Sequence, residues 1–175
     1  MIKQDILEKQ VKFSYLAIGS NLGSRKTNID KAKKLLTKSN IFINDTSSYY
    51  ETPSWPNKKF PKFLNVVIKI TTQMSLTNLF KSAKKIEEQL GRRNTLKNYP
   101  RICDIDIIDY QGKYLKTQFN CHDIVTPHPR MLTRNFVIFP LYEVNKSWIH
   151  PKTKEDLYTI ISKFRDVDFS DIRIV

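Results

Sequence analysis

Two carboxylates stand one residue apart in an apolar stretch of the sequence, and this spacing could serve chemistry. In "CDIDIIDY", which starts at Cys103, Asp104 and Asp106 flank Ile105. If the stretch is a strand, both aspartates point to one face, about 7 Å apart, and their odd-numbered neighbours point to the other. Chains avoid burying like charges together, because each carboxylate must be desolvated and repels the other. Two carboxylates at this spacing could hold Mg²⁺, whose other oxygen ligands can be the phosphates of a nucleotide.

Basic residues accompany the acidic pair. Arg101 lies three residues before Asp104, and Arg92 begins the connection from the preceding helix. Guanidinium groups beside a carboxylate pair suit a polyphosphate bridged to magnesium. His128 in "TPHPR" and Arg134 could add two more phosphate contacts. Two alternatives stay open on this pattern alone: the arginines only neutralise aspartates on a solvated strand, and His128 is a structural turn histidine.

The composition is that of one ordinary globular domain. The chain has 175 residues, of which 40% are hydrophobic and 27% charged. No apolar run approaches the roughly 20 residues that span a bilayer, and the N-terminus lacks the pattern of a signal peptide. Two cysteines give neither a disulfide framework nor a paired metal-binding motif. We therefore expect a cytoplasmic protein.

The net charge of +13 raises the alternative of nucleic-acid binding. Lysines outnumber arginines 22 to 8 and are scattered from Lys3 to Lys163, so they do not form a basic stripe. A polyanionic small substrate would suit the same positive field. The P-loop motif G-x-x-x-x-G-K-[ST] is not in the sequence, and Gly19-Ser20 is too far from Asp104 for the nucleotidyltransferase pattern.

Hydrophobic periodicity predicts alternating strands and helices. We predict strands at 13–19, 41–50, 63–72 and at the paired aspartates, with helices at 27–39 and 75–90. Thr27 or Asn28 would cap the first helix, whereas Ser75 would cap the second and Gly91 would stop it.

This order predicts an α+β fold with a ferredoxin-like β-α-β-β-α-β core and an antiparallel sheet. Residues 120–175 add a proline-rich segment and a late helix in "EDLYTIISKFR". We expect these additions to extend the sheet and cover its open face, so that helices lie on both faces. Residues 1–12 would be an N-terminal extension and residues 13–175 a single domain.

Seven segments of the chain resemble one enzyme family. In order they are "YLAIGSNLGSR", "SSYYETPSW", "FLNVVIKI", "IEEQLGRR", "PRICDIDI", "TPHPRM" and "RNFVIFPLYEV". Together they resemble 6-hydroxymethyl-7,8-dihydropterin pyrophosphokinase of folate biosynthesis, from about Tyr15 to Val144. The resemblance implies transfer of the β,γ-diphosphate of ATP, as a unit, to the pterin's hydroxymethyl group, with release of AMP.

The resemblance also implies roles for individual residues. Asp104 and Asp106 would hold two Mg²⁺ ions, which would explain why two like charges stand together. The catalytic group would be Arg92, Arg101, Asp104 and Asp106. ATP, the co-substrate, would be bound by Glu87, Arg92, Arg101, Ile107, His128 and Arg134. The pterin would be bound by Thr52, Pro53, Trp55, Phe63, Asn65 and Phe136, with the two phenylalanine rings stacked on either side of it.

The chain also departs from the family pattern. Tyr99 stands where the family has a small residue, and the segment 91–100 is a residue shorter and lacks the family's tryptophan. We expect small-molecule partners, a monomer, and neither nucleic-acid nor membrane binding. The alternative is a basic ferredoxin-like RNA-binding module without catalysis, although the aromatic motif of such modules is not in the sequence.

Overall fold

The computed structural model of the chain describes residues 10–92, 99–120 and 122–175. Most of the predicted N-terminal extension therefore lies outside the described residues. The strands are β1 (Lys12–Ser20), β2 (Phe42–Thr46), β3 (Tyr50–Thr52), β4 (Phe63–Thr72), β5 (Asp104–Tyr110), β6 (Leu115–Phe119), β7 (His122–Thr126) and β8 (Arg173–Ile174). The α-helices are α1 (Arg25–Lys38), α2 (Leu76–Gln89), α3 (Asn135–Val144), α4 (Leu157–Ile161) and α5 (Asp166–Ser170). None of these helices is long and apolar enough to cross a bilayer.

The main sheet is antiparallel, with strand order β5-β1-β4-β3-β8, and β2 pairs with β4 ahead of β3. This order confirms the predicted ferredoxin-like core, in which each helix connects two strands separated by a third. The predicted extension of the sheet is limited to β8, while β6 and β7 form a separate two-stranded sheet.

A helical layer covers each face of the main sheet, as predicted. On one face, side chains from β1, β4 and β5 such as Ile18, Ile68 and Ile105 pack with apolar residues of α1 and α2. On the other face, Tyr15 and Val67 pack beneath α3, α4 and neighbouring residues. The alternation of strand side chains between two apolar layers is what holds the register of the central strands.

The predicted single strand 41–50 is two strands, and Ser47 explains the break. The backbone N–H of Ser47 donates to the Val67 carbonyl (2.9 Å), and the Ser47 hydroxyl accepts from the Val67 N–H (3.0 Å). A side chain thus replaces a backbone group in the ladder, and β3 starts afresh at Tyr50.

Of the predicted helix ends, one is confirmed and others differ from the structure. The Ser75 hydroxyl accepts from the Asn78 N–H at 3.3 Å, which confirms the predicted cap of α2. The predicted caps of α1 are wrong, because that helix begins at Arg25, next to Ser24. The late helix is shorter than predicted, since α4 covers only Leu157–Ile161.

A β-bulge in β5 sends two consecutive side chains to the α3 face. Leu16 pairs with Ile107 but Tyr15 pairs with Asp109, so Ile108 is the extra residue. The Trp148 indole N–H donates to the buried Asp109 carboxylate at 2.8 Å. Asp109 is therefore a structural carboxylate, distinct from the pair earlier in the strand.

Glu51 on β3 ties several elements together through one buried carboxylate. Its Oε1 and Oε2 accept from Arg173 (2.5 Å) on β8, Arg25 (3.0 Å) on α1 and Lys62 (3.3 Å) ahead of β4. Burial raises the pKa of Glu51, but these hydrogen bonds outweigh burial and lower its pKa to about 2 from an ordinary 4.5.

Glu51 should make the stability of the fold depend on pH under acidic conditions. A carboxylate with a lowered pKa in the folded state stabilises the fold above its unfolded pKa, and this stability is lost as pH falls toward the folded pKa. We expect the free energy of unfolding lost in Glu51→Gln to be largest above about pH 4.5 and to shrink toward pH 2. Urea unfolding of both proteins across this range measures it, and a pH-independent difference would contradict the assignment.

Candidate active site

Three residues on neighbouring strands form one row across the sheet. Gly19 on β1 pairs with Asn65 on β4 and, on its other side, with Asp104 on β5. Leu64 and Ile105, which neighbour the row along the chain, face α1 and α2, so Asn65 and Asp104 face the α3 side. Since adjacent strands lie about 4.8 Å apart, an amide and a carboxylate stand on either side of a residue without a side chain.

Gly19 keeps the middle of this row open. A Cβ built at Gly19 would lie 2.9 Å from Asn65 Oδ1 and 3.5 Å from the Phe63 ring. Gly19 ends the predicted strand 13–19, and this role was not predicted for it. The signal that could have found it was a glycine inside a predicted strand, which often marks the close approach of a ligand.

The predicted pterin-binding residues surround the Asn65 end of the row. Asn65 is buried, and its Nδ2 donates to Thr52 Oγ1 at 3.0 Å. Phe63 pairs with Thr52 in the ladder and is half-buried, as is Phe136 at the start of α3. The structure therefore brings these four residues to one side of the sheet.

Two predicted residues of the loop after β3 behave differently from each other. Pro53 is half-buried next to Thr52. Trp55 is 71% exposed, so its ring does not line the pocket in this conformation. The pterin contact predicted for Trp55 is through the backbone of this loop, and it stays a prediction.

Asp104 is bound by two arginines. Arg92 Nη1 donates to Asp104 Oδ1 at 2.7 Å, and Arg101 Nη1 donates to Asp104 Oδ2 at 2.9 Å. The buried Asn21 side chain accepts from the Arg101 backbone N–H at 2.7 Å and so holds that segment in place. Asn21 follows Gly19 in the turn after β1 and was also missed by the sequence reasoning.

Asp106 has a separate set of cations. Arg134 Nη1 lies 3.1 Å from Asp106 Oδ2, and His128 Nε2 lies 3.9 Å from the same oxygen. Burial raises the pKa of Asp106, but His128 in its protonated form, Arg134 and Lys84 together outweigh burial and lower the pKa below its ordinary value. The predicted cluster of acidic and basic groups is therefore assembled as two neighbouring ion-pair sets.

The orientation of His128 follows from its backbone contact. Its Nδ1 accepts from the Arg130 N–H at 3.1 Å, so the neutral ring carries its proton on Nε2, which faces Asp106. Burial lowers the pKa of His128 and so favours this neutral form. The negative charge of Asp106 partly opposes this shift.

Glu87 lies beneath the Asp104 set rather than at the open surface. Its side chain is 1% exposed, and Oε1 accepts from the Ile105 N–H at 2.6 Å and from Lys84 at 2.9 Å. Arg92 Nη1 also contacts Glu87 Oε2, so one guanidinium bridges Glu87 and Asp104. Burial raises the pKa of Glu87, with Lys84 and Arg92 opposing it. In this structure the Glu87 carboxylate therefore positions the Arg92 guanidinium, and the ATP contact predicted for Glu87 stays a prediction.

The Ile107 side chain lies in the core and is not available for a direct contact with ATP. The side chain is 7% exposed and packs in the core beneath α1 and α2. The Ile105 N–H points off the outer edge of β5 toward Glu87. Because backbone groups alternate along a strand, the Ile107 amide faces the same edge, and only its backbone could meet a nucleotide.

The pair of aspartates fits Mg²⁺ only together with a ligand. Within the part of the chain that the structure describes, no three or more His, Cys, Asp or Glu side chains form a group that could hold a metal. Magnesium commonly uses one or two carboxylates and takes its other ligands from water and substrate phosphates. Asp104 and Asp106, with side chains 24% and 30% exposed, meet that requirement.

Replacing Glu87 should remove one contact to β5 and one contact to Arg92, and so destabilise the fold. Glu87→Ala leaves the buried Ile105 N–H without an acceptor, at a cost of about 1–3 kcal/mol in unfolding free energy. Glu87→Gln keeps an acceptor oxygen and should lose less. Urea unfolding measures both, with the exposed neighbour Glu88→Ala as the control. Equal stability of Glu87→Ala and Glu88→Ala would contradict the positioning role.

Known proteins are similar to this chain over a range that contains the candidate site residues. Residues 15–146 match the sequence model of 7,8-dihydro-6-hydroxymethylpterin-pyrophosphokinase. The folic acid synthesis protein FOL1 of Dictyostelium discoideum is 41% identical over 137 residues, which cover 78% of this chain and 20% of that protein. The 2-amino-4-hydroxy-6-hydroxymethyldihydropteridine pyrophosphokinase of Aquifex aeolicus is 34% identical over 143 residues, or 82% of this chain and 86% of that protein.

Solved structures agree on the fold. The crystal structure of wild-type Plasmodium falciparum HPPK-DHPS superposes with a TM-score of 0.71 and 13% identity, covering 91% of this chain and 46% of that one. This chain thus spans about a fifth of the length of FOL1 and less than half of HPPK-DHPS, but most of the Aquifex protein. The chain belongs to the 7,8-dihydro-6-hydroxymethylpterin-pyrophosphokinase family.

Proposed function

We propose that this chain transfers the β,γ-diphosphate of ATP to 6-hydroxymethyl-7,8-dihydropterin and releases AMP, a step of folate biosynthesis. The observation that carries the proposal is the row Asn65–Gly19–Asp104, with arginines beside its acidic end. Family membership supports the reaction, and the names of its relatives in Aquifex aeolicus and Dictyostelium discoideum support its place in folate synthesis. We propose that the chain carries out this transfer as a monomer.

The pterin would lie flat against Gly19. The missing Cβ leaves room for a planar ring beside Phe63. Offset stacking would use the Phe63 ring and, once the Arg134 guanidinium that lies over it turns to the phosphates, the Phe136 ring. Because Asn65 Nδ2 is engaged by Thr52, Oδ1 faces the Gly19 surface and can accept a hydrogen bond from a ring N–H. Such a hydrogen bond would orient the ring in the pocket.

The triphosphate would bind where the arginines now meet the aspartates. Arg92, Arg101 and Arg134 each donate to a carboxylate, and guanidinium groups donate equally well to phosphate oxygens. On nucleotide binding, these arginines would exchange their carboxylate partners for phosphate oxygens. The neutral His128, with its proton on Nε2, would add one more donor.

The transfer itself requires positioning more than covalent work. The hydroxymethyl oxygen releases its proton to water and forms a bond to the β-phosphorus, the bond from that phosphorus to the α,β-bridging oxygen breaks, and AMP leaves with that oxygen. The arginines stabilise negative charge on the phosphates during this step. Asp104 shares the row with Gly19, whereas Asp106 pairs with Ala17 two residues further along, so Asp104 is the carboxylate nearer the pterin floor.

Asp104 and Asp106 would hold two Mg²⁺ ions when ATP is bound. Bound magnesium supplies neutralising charge for the phosphates and makes the acceptor hydroxyl easier to deprotonate. Release of the arginines toward phosphate would leave both carboxylates free to bind metal. The ion pairs seen here would then be the partners that keep the two acidic groups tolerable in the free protein.

The RNA-binding alternative is not favoured by the architecture. Ferredoxin-like RNA-binding modules use aromatic side chains on an open sheet face. Here that face is covered, since Tyr15, Val67 and Ile108 are buried beneath α3, Trp148 and α4. The dispersed lysines offer no substitute surface.

The product distinguishes this reaction from ordinary phosphoryl transfer. With ATP, Mg²⁺ and the reduced pterin, we expect AMP and the pterin diphosphate and no ADP, as measured by chromatography. Asp104→Asn keeps the shape but removes the charge, and we expect kcat to fall by about 10²-fold or more. Asp123→Asn, at an exposed site on β7, is the matched control. ADP as the product would refute the proposal, and full activity in Asp104→Asn would refute the role of that residue.

Gly19→Ala should affect the KM for the pterin much more than the KM for ATP. Its new Cβ would meet Asn65 Oδ1 at 2.9 Å and occupy the surface on which the pterin lies. We expect the KM for the pterin to rise by about tenfold or more, with the KM for ATP within about twofold of the wild type. Steady-state kinetics with each substrate varied in turn measure this, and thermal unfolding checks the fold. An equal rise in both constants would contradict the assigned pterin floor.

A further inference from the structure

A short segment that lies beyond the family match makes polar contacts with three elements of the candidate pterin pocket. The family match ends at residue 146, and we call residues 165–175 the clasp segment. The clasp segment contains α5 and β8 and carries Asp168, Asp171 and Arg173. Each of these three residues is bonded to a different element.

The first anchor holds the start of α3. Asn135 Nδ2 donates to the Asp168 carbonyl at 2.6 Å, and the Asn135 carboxamide oxygen accepts from the Phe136 N–H at 2.7 Å. Phe136 is the predicted stacking ring. The Phe169 ring also stacks on Phe139 one turn further along α3, with centroids 5.1 Å apart.

The other anchors hold β3 and the loop that follows it. Arg173 donates to Glu51 Oε1 through Nη2 (2.5 Å) and Nε (3.0 Å), directly before the predicted pocket residue Thr52. Asp171 pairs with Lys58 at 2.9 Å, in the loop that carries Pro53 and Trp55.

The clasp segment depends on these contacts for its own order. No residue of α5 is buried, and β8 has two residues, both exposed. Its backbone adds to the edge of the sheet through β3 and through the Val175 N–H, which donates to the Tyr49 carbonyl at 3.0 Å. Because the clasp segment has no core of its own, its contacts with α3, β3 and the loop after β3 hold it in place. The same contacts connect these three elements to one another.

We propose that the clasp segment positions the pterin pocket, with Asp168, Asp171 and Arg173 as positioning residues that act through Asn135, Lys58 and Glu51. This inference rests on the proposed function, because it takes the pocket to be the pterin site. None of the three residues touches the Asn65–Gly19–Asp104 row. They fix the spacing between the walls of the pocket, and small errors in positioning raise the cost of binding.

The contacts of Arg173 and Asp171 should differ in how strongly they hold the clasp segment in place. Glu51 is 9% exposed, and Nε and Nη2 of Arg173 both donate to its Oε1, although the Arg173 side chain itself is 66% exposed. The Lys58–Asp171 pair is exposed, with side chains 65% and 35% accessible, and exposed ion pairs contribute little. In Arg173→Gln, Glu51 keeps Arg25 and Lys62, so β3 should remain folded while the clasp segment loses its strongest anchor.

Steady-state kinetics test the inference. For Arg173→Gln we expect the KM for the pterin to rise by roughly three- to tenfold, and for Asp171→Asn by about twofold. In both, kcat and the KM for ATP should stay within about twofold of the wild type. Asp123→Asn, which breaks the exposed Lys116–Asp123 pair on the β6–β7 sheet, is the matched control and should change nothing.

A second readout does not require catalysis. Trypsin cleaves after lysine, and Lys58 and Lys59 lie exposed in the anchored loop. We expect cleavage there to be at least twofold faster in ligand-free Asp171→Asn than in the wild type. The charge-reversed double variant Lys58→Glu/Asp171→Lys should return cleavage after Lys59 toward the wild-type rate.

The two readouts separate the clasp from the proposed function. If the wild type forms AMP but Arg173→Gln keeps the wild-type KM for the pterin, the clasp inference is overturned and the function stands. If the wild type forms no AMP, the proposed function fails, and unchanged cleavage in Asp171→Asn would also overturn the clasp. Faster cleavage with rescue by the charge-reversed pair supports it.

Discussion

Two carboxylates on one face of an edge strand must each be neutralised, and the region around β5 is organised to meet this requirement. Asp104 is bonded to Arg92 and Arg101, and Asp106 to Arg134 with His128 nearby. These cations come from the end of α2, the residues before β5 and the start of α3. Leaving either carboxylate unpaired at the margin of the core would be unfavourable, so the fold and the site share one electrostatic constraint.

The same constraint prepares the protein for a polyanionic ligand. Cations that neutralise carboxylates in the free protein are already placed where phosphates would arrive, and the carboxylates are released as the phosphates bind. Glu87 keeps Arg92 in place from below, and Asn21 keeps the backbone of Arg101 in place from the side. The supporting layer is buried while the arginines are partly exposed, as a preorganised electrostatic site requires.

Strand register accounts for the specificity of the pocket. The pairing of Gly19 with both Asn65 and Asp104 sets an amide, an open floor and a carboxylate in one line. A one-residue slip of any of these strands would turn its side chain toward α1 and α2. The large core on that face, which runs from Leu16 to Ile124 and includes Ile105 and Ile107 of β5, therefore stabilises the register on which the pocket depends.

The sequence alone predicted the parts of this structure that depend on local pattern. The alternation in Phe63–Thr72 and the Ser75 cap were readable, because both arise from residues close in sequence. The break at Ser47 was not, since it depends on a hydrogen bond to Val67 twenty residues away. For the site, the paired aspartates signalled a cation site, but the roles of Gly19, Asn21 and Glu87 depend on strand pairing and burial.

The most direct test of the account is a crystal structure of the chain with a non-hydrolysable ATP analogue, Mg²⁺ and the pterin. The account predicts that Arg92 and Arg101 leave Asp104 for phosphate oxygens, that metal is bound by Asp104 and Asp106, and that the pterin lies over Gly19. A nucleotide bound while both arginines still hold Asp104, or a pterin seated away from Gly19, would contradict it.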